Sequence, residues 1–235
     1  MLLESDKRYT ATLKLGEQSD TGDTEGEIIQ TLPVPELSQA LIESVLAGFI
    51  GDIAQIPPMY SALKHQGKPL YYYARQGIEI ERPARPIKIL NLSLISFTKN
   101  QIVFDVHCSK GTYVRTLGED IAKALGTVGH LTALHRTQTG SLMGDDMLTL
   151  AEIEQQQDAC IQPLDIAIKH LQRIDLTAEQ ADLIRHGGKL ELPKPKTDLV
   201  RFYENDICIA VGEWQAEKQL LKPKRVFNLP ESVAG

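Results

Sequence analysis

No apolar run in this sequence approaches the ~20 residues that span a bilayer, and the first fifteen residues alternate charged with apolar side chains instead of forming a signal-peptide core. That pattern argues against a membrane span and a secretory leader, and a cytoplasmic protein is expected. Cysteine is scarce: Cys108, Cys160 and Cys208 are odd in number, widely spaced and contain no Cys-x-x-Cys pair, so a disulfide framework, a zinc site and a redox dithiol are all unexpected. Cys108 has His107 and Ser109 as neighbours, but adjacent strand residues point to opposite faces, which argues against mutual activation. Asp20, Asp23 and Glu25 lie in a turn-rich stretch with Gly22 and Gly26, without the spacing of a calcium-binding EF-hand. Internal repeats and low-complexity tracts are absent, and the 235 residues suffice for one large domain or two.

The chain also lacks a net positive charge. Its formal charge is −6, which looks wrong for a nucleic-acid binder, because affinity for RNA rests largely on neutralising phosphates. Distribution matters more than the sum. Between Met59 and Leu90, six cations (Lys64, Lys68, Arg75, Arg82, Arg85 and Lys88) face only Glu79 and Glu81, and Tyr60, Tyr71, Tyr72 and Tyr73 are interleaved with them. A surface that tracks a phosphate backbone and stacks bases has this composition; so does a solvated helix with an aromatic underside.

What is present is organised around residues 102 to 125. Ile102, Phe104 and Val106 alternate with Val103, Asp105 and His107, the period of a half-buried strand, and Gly111 permits a tight turn. Val114, Leu117, Ile121, Ala124 and Leu125 then recur at helical spacing, so Tyr113 and Arg115 fall near a helix start. Further strands are predicted at Tyr9 to Leu15, Met59 to Leu63, Ile87 to Phe97 and Leu131 to Thr139. Helices are predicted at Ser38 to Gly48, with Leu41, Val45 and Leu46 facing inward, and at Leu70 to Arg75; Gly51 to Pro58 reads as a loop. Beyond Arg173, a capped helix from Thr177 and three short strands, 199–203, 207–214 and 220–227, form a small β-rich module.

Cys108-Ser-Lys-Gly-Thr-Tyr-Val-Arg-Thr-Leu-Gly-Glu-Asp120 resembles the signature of the TruB family, bacterial synthases that convert uridine-55 of the tRNA T-loop to pseudouridine. Ser5-Asp-Lys-Arg-Tyr9, Leu15-Gly16 with Asp20-Thr-Gly-Asp-Thr-Glu-Gly26, Ile56-Pro-Pro-Met-Tyr-Ser-Ala-Leu-Lys64 and His130-Leu-Thr-Ala-Leu-His-Arg136 are similar to the family's other motifs, in order. The likeness is strong over residues 1 to 170 and weak beyond. Family members carry, ahead of the counterpart of Ser5, a Gly-Thr-Leu-Asp-Pro-like stretch holding the catalytic aspartate, and none of the 235 residues matches it. The resemblance therefore implies a chain truncated at its N-terminus and inactive alone, the alternative being a non-catalytic fragment that binds or folds tRNA.

The resemblance implies an α+β fold: a mixed, largely antiparallel sheet with flanking helices over residues 1–168, a thumb-like insertion at about 58–86, and a PUA-like RNA-binding domain over residues 169–235. It implies that Arg115 holds the missing aspartate, that Tyr9 stacks on the extruded base, and that Tyr113 and Leu134 complete the pocket, although a leucine at 134 fits a core position equally. Lys64, Lys68 and Arg82 would grip the T-stem-loop, and Asp23 would support Arg115. Isomerising uridine needs no metal or organic cofactor, and the protein is expected to act as a monomer.

Overall fold

The computed structural model describes residues 4–228; the outermost residues of the expected domains, 1–3 and 229–235, lie outside that range. It divides into two compact units, before and after the Met147/Leu148 junction.

The first unit runs β1 (Lys7–Leu15), β2 (Glu17–Ser19), β3 (Ile28–Thr31), α1 (Gln39–Ala47), β4 (Gly51–Gln55), β5 (Lys64–His65), β6 (Lys68–Pro69), α2 (Leu70–Ala74), β7 (Arg85–Phe97), β8 (Gln101–Cys108), α3 (Val114–Ala124), β9 (Gly129–Thr139) and β10 (Leu142–Met143). Six of these strands form one sheet in the order β10-β9-β1-β8-β7-β4, every pair antiparallel. Strict alternation places β1 and β8 at its centre. Ala11, Leu13, Leu15, Ile102, Phe104, Val106 and Cys108 are buried on one face, and Ala11 sits opposite Phe104 and Leu13 opposite Ile102.

Helix α3 covers that face with its apolar stripe, Val114, Leu117, Ile121 and Ala122, which is buried in one cluster with the sheet residues. Burying side chains of the size of Leu117 and Ile121 contributes roughly 1.5–3 kcal/mol each. The turn into the helix holds Gly111 at φ 81°, a left-handed conformation that disfavours other residues. The helix then lies very close to the sheet. A methyl group on Gly118 would come within 2.8 Å of Leu131, and one on Gly129 within 2.7 Å of the Lys14 carbonyl and 2.9 Å of Ala122. Gly129→Ala should therefore destabilise the first unit by about 1–3 kcal/mol, the usual cost of overpacking, read as a lowered urea midpoint. An unchanged midpoint would show that strand and helix can separate freely here.

Three local expectations are corrected. Residues 51–55, expected as loop, form the edge strand β4, since an edge tolerates Gly51 and Asp52 while Gln55 turns inward. Met59 to Leu63 is no strand: Leu63 and Ser61 offer their carbonyls to the amides of Leu70 and Tyr71, so the segment folds onto the start of α2 instead of onto a neighbouring strand. In α1 the buried residues are Ile42 and Leu46, while Leu41 is 40% exposed, because the inward stripe is rotated by one position.

The second unit contains α4 (Leu150–Gln156), β11 (Gln172–Asp175), α5 (Ala178–Arg185), β12 (Leu199–Glu204), β13 (Ile207–Gln215) and β14 (Leu220–Val226). Its sheet runs β11-β12-β13-β14, with only the first pair parallel. Thr177 and Gln180 form a capping box that starts α5, and Ala181 and Ile184 pack onto Val200, Phe202, Ile209 and Leu221. Among the described residues no helix is long and apolar enough to cross a membrane.

Candidate active site

The first turn of α3 carries Arg115, and its guanidinium ties three separate segments together. One terminal nitrogen donates to the Thr21 carbonyl at 3.0 Å and to Asp23 Oδ2 at 2.7 Å; the other donates to the Tyr60 carbonyl at 2.9 Å. Both charged side chains are about three-quarters shielded from solvent. The acidic loop is itself anchored, since Ser19 Oγ donates to the Asp23 carbonyl and the Leu131 amide donates to the Gly22 carbonyl. Burial by itself would push the Asp23 carboxyl up. The Thr21 hydroxyl, the Glu25 amide and the Arg115 guanidinium outweigh it and hold the group below the ordinary aspartate range. Glu119, one turn beyond Arg115, goes the other way: burial raises it despite a hydrogen bond from Gln18 and the charge of Arg115.

The sign of the Asp23 shift fixes a pH dependence. A carboxylate depressed by folding stabilises the fold above its unfolded pKa of about 3.9, and that contribution is lost as pH falls through the lower folded value. Melting temperatures should thus fall on acidification below about pH 4, and Asp23→Asn should flatten that fall; equal slopes for both proteins would remove the ion pair from the stability of this loop.

Beside this ion pair lies a cavity of about 250 Å³ lined by Asp23, Thr24, Glu25, Arg115, Leu131, Thr132, Ala133 and Leu134. Leu134 is 46% exposed and lines this cavity, not the buried core. Tyr9 lies on β1, next to the strand that carries Leu134: Ala11 pairs with Leu134 and Tyr9 with Arg136. The Tyr9 ring packs against the buried core of the sheet and has the Arg136 guanidinium 5.3 Å from its centre. Tyr113 borders a second cleft, of about 390 Å³, with Leu63, Arg85, Pro86, Ile87, Lys110 and Gly111. The structure thus brings Arg115, Asp23 and Leu134 around one cavity, with Tyr9 and Tyr113 on the adjoining elements.

The basic excursion leaves the sheet at Gln55 and rejoins it at Arg85, and these two residues are the last pair of the β4–β7 ladder. Its tip is the β5–β6 hairpin, turning through Gln66 and Gly67 at positive φ. Lys64 and Lys68 are exposed there, with Lys68 Nζ 4.2 Å from the centre of the Tyr72 ring and donating to its hydroxyl at 3.1 Å. Tyr71 and Tyr72 are also exposed. Arg82 differs: half-buried, it donates to the Ile80 carbonyl at 2.7 Å and so holds its own loop together.

Comparison with known proteins gives this arrangement its family. Residues 1–114 match the TruB family pseudouridylate synthase N-terminal domain, and residues 115–169 match the tRNA pseudouridylate synthase B C-terminal domain. A tRNA pseudouridine synthase B from Hydrogenovibrio crunogenus is 64% identical over 230 residues, covering 97% of this chain and 76% of that protein. The chain belongs to the TruB family of pseudouridine synthases. Another relative, the tRNA pseudouridine synthase B of Neisseria meningitidis serogroup A, is 43% identical over 240 residues, covering 99% of this chain and 78% of its own length. Among solved structures, a Cbf5-Nop10-Gar1 complex matches with a TM-score of 0.68 at 21% identity, covering 98% of this chain and 68% of the matched one. An H/ACA RNP bound to a substrate RNA containing 2'-deoxyuridine matches with 0.67 at 20%, covering 97% and 68%. These two establish a shared fold.

In this TruB-family site, several contacts have no signal in residue type. Tyr60 and Thr21 act on Arg115 through their carbonyls, which every residue possesses. Gln55 is buried and binds the Tyr113 backbone through both ends of its carboxamide, yet in sequence it is one glutamine ahead of Ile-Pro-Pro. Among the described residues, no cluster of three or more His, Cys, Asp or Glu side chains could hold a metal ion.

Proposed function

We propose that the protein isomerises uridine-55 in the T-loop of tRNA to pseudouridine, and that the observation carrying this reading is Arg115, a shielded guanidinium fixed at the rim of a small cavity in a family whose chemistry needs a carboxylate there. The target base leaves its stack, its N1 glycosidic bond breaks, the ring turns, C5 joins the sugar and loses its proton, and N1 gains one. Extrusion exposes a flat ring that an aromatic side chain can hold. Tyr9 supplies that face from a rigid central strand, Leu134 bounds the cavity beside Arg115, Tyr113 stands at the neighbouring cleft, and Arg115 keeps the reacting aspartate charged and aimed. An unpaired carboxylate in such a place would protonate. In this reading the reacting carboxylate is that of the family's aspartate motif, which residues 1–235 do not match.

Lys64 and Lys68 present exposed charge near the exposed Tyr71 and Tyr72, which suits the phosphates and bases of the T-stem-loop. The second unit adds RNA contacts as a PUA-like domain, and the protein works as a cytoplasmic monomer without a cofactor. Mapping pseudouridine by carbodiimide-blocked primer extension, in a tRNA transcript treated with residues 1–235 preceded by the family's Gly-Thr-Leu-Asp-Pro-like segment, tests the assignment. A stop confined to position 55 supports it, and stops elsewhere with none at 55 would refute it.

The basic tip gives a separate expectation. Lys64→Gln and Lys68→Gln should each lower the slope of log affinity against log salt by about 0.7–0.9, whereas Arg82→Gln should leave it unchanged. Filter binding at several salt concentrations measures this, and a slope altered only by Arg82→Gln would relocate the contact surface.

A further inference from the structure

We propose that Gln55 is a positioning residue for base isomerisation, coupling the foot of the basic excursion to the start of α3 through a paired amide clamp on Tyr113. The inference rests on the pseudouridine synthase reading above and extends it to a residue outside the pocket. Gln55 is only 2% exposed. Its Oε1 accepts from the Tyr113 amide at 2.8 Å and its Nε2 donates to the Tyr113 carbonyl at 3.2 Å. Both polar groups of one backbone residue are thus bound by one side chain from 58 positions away.

Tyr113 is where such a clamp has consequence. It is the N-cap of α3, extended at φ −97° and ψ 104°, and its own side chain makes no capping bond. In a capping box, a Glu or Gln three residues into the helix satisfies the N-cap amide; here that position is Thr116, whose buried hydroxyl has no partner. Gln55 provides the missing acceptor from another element. Two residues further on, Arg115 reaches back to the Tyr60 carbonyl. The first leg of the excursion is therefore pinned to the first turn of α3 at Gln55 and at Tyr60. Any shift of that leg on RNA capture is transmitted to the Tyr113 ring and to the guanidinium, and a misplacement of about 1 Å at a site can cost a hundredfold in rate.

The clamp requires one donor and one acceptor on a planar group, a demand that volume alone does not satisfy. Protonated glutamic acid meets it, but a carboxylate cannot donate to the Tyr113 carbonyl. Burial favours the protonated form. Arg85 lies opposite Gln55 in the ladder, and Arg115 stands two residues beyond the N-cap that Gln55 clamps. Gln55→Glu should thus work at low pH and fail at high pH, a profile that a merely space-filling role would not produce. Gln55→Met fills the volume without either bond and should fail at both.

The test uses residues 1–235 and a T-stem-loop RNA with 2-aminopurine in place of the target uridine, at pH 5 and pH 8, alongside deuterium exchange at the Tyr113 amide and a melting curve for each protein. Relative to wild type at the same pH, Gln55→Met should lose about tenfold in base capture at both pH values. Gln55→Glu should lose it only at pH 8, with Tyr113 exchange faster in the same samples and RNA affinity changed less than about threefold. Folded Gln55→Met and Gln55→Glu proteins that capture the base like wild type at pH 8 would overturn the positioning role. Wild type that binds the RNA without any 2-aminopurine response would instead overturn the base-extrusion reading itself, whatever the exchange at Tyr113.

Discussion

Arg115→Lys should lower kcat by at least about a hundredfold while tRNA affinity changes by less than about threefold, in an enzyme form that carries the family's Gly-Thr-Leu-Asp-Pro-like segment. Lysine preserves the charge, so long-range attraction for RNA survives. What it lacks is the planar fork. Arg115 spends one nitrogen on Thr21 and Asp23 and the other on Tyr60, three directions that one ammonium on a flexible stem cannot satisfy while also meeting a reacting carboxylate. A hydrogen-bonding group lost only from the reacting geometry reduces kcat and leaves binding alone. Single-turnover kinetics at saturating enzyme separate the two, and a loss confined to affinity would place Arg115 among the RNA contacts.

Tyr9→Leu should cost about a hundredfold or more in kcat, whereas Tyr9→Phe should stay within about tenfold. The ring is held on a central strand, packed on the buried core, with the Arg136 guanidinium near its face. A phenyl ring keeps the flat surface for an extruded base and the packing beneath it. Leucine keeps apolar volume and loses the stacking face, worth about 1–3 kcal/mol per base, together with the fixed distance from base to reacting groups. Equal losses for both substitutions would assign the function to the hydroxyl, and no loss for either would remove Tyr9 from the site.

Much of this was legible in the sequence wherever periodicity and burial coincide. Ile102 to Val106 and Tyr9 to Leu15 alternate in sequence and in burial alike, and the stripe from Val114 to Ile121 is the face that α3 buries. The three strands of the second unit declare themselves by β-branched and aromatic residues, whereas β11 is four residues pairing in parallel with a distant strand and leaves no local pattern. β4 lacks a sequence pattern for a related reason. Its glycine and aspartate suit an edge, and its partner β7 begins thirty residues later.

The site divides along the same line. Arg115, Tyr113 and Leu134 stand out through motif resemblance, and Asp23 through the density of acidic residues around it. The contacts that orient them come from carbonyls of Thr21 and Tyr60 and from the carboxamide of Gln55. Only the folded chain assembles these, because backbone groups carry no sequence identity.

The most direct measurement is tritium release from a tRNA transcript containing 5-tritiated uridine. Residues 1–235 alone should bind the transcript and release nothing, because groups that position a base cannot replace the carboxylate that reacts with it. The same residues preceded by the family's Gly-Thr-Leu-Asp-Pro-like segment should release one tritium per tRNA, and none from a transcript with cytidine at position 55. Release by residues 1–235 alone would contradict this, and would place the reacting group among the side chains already described.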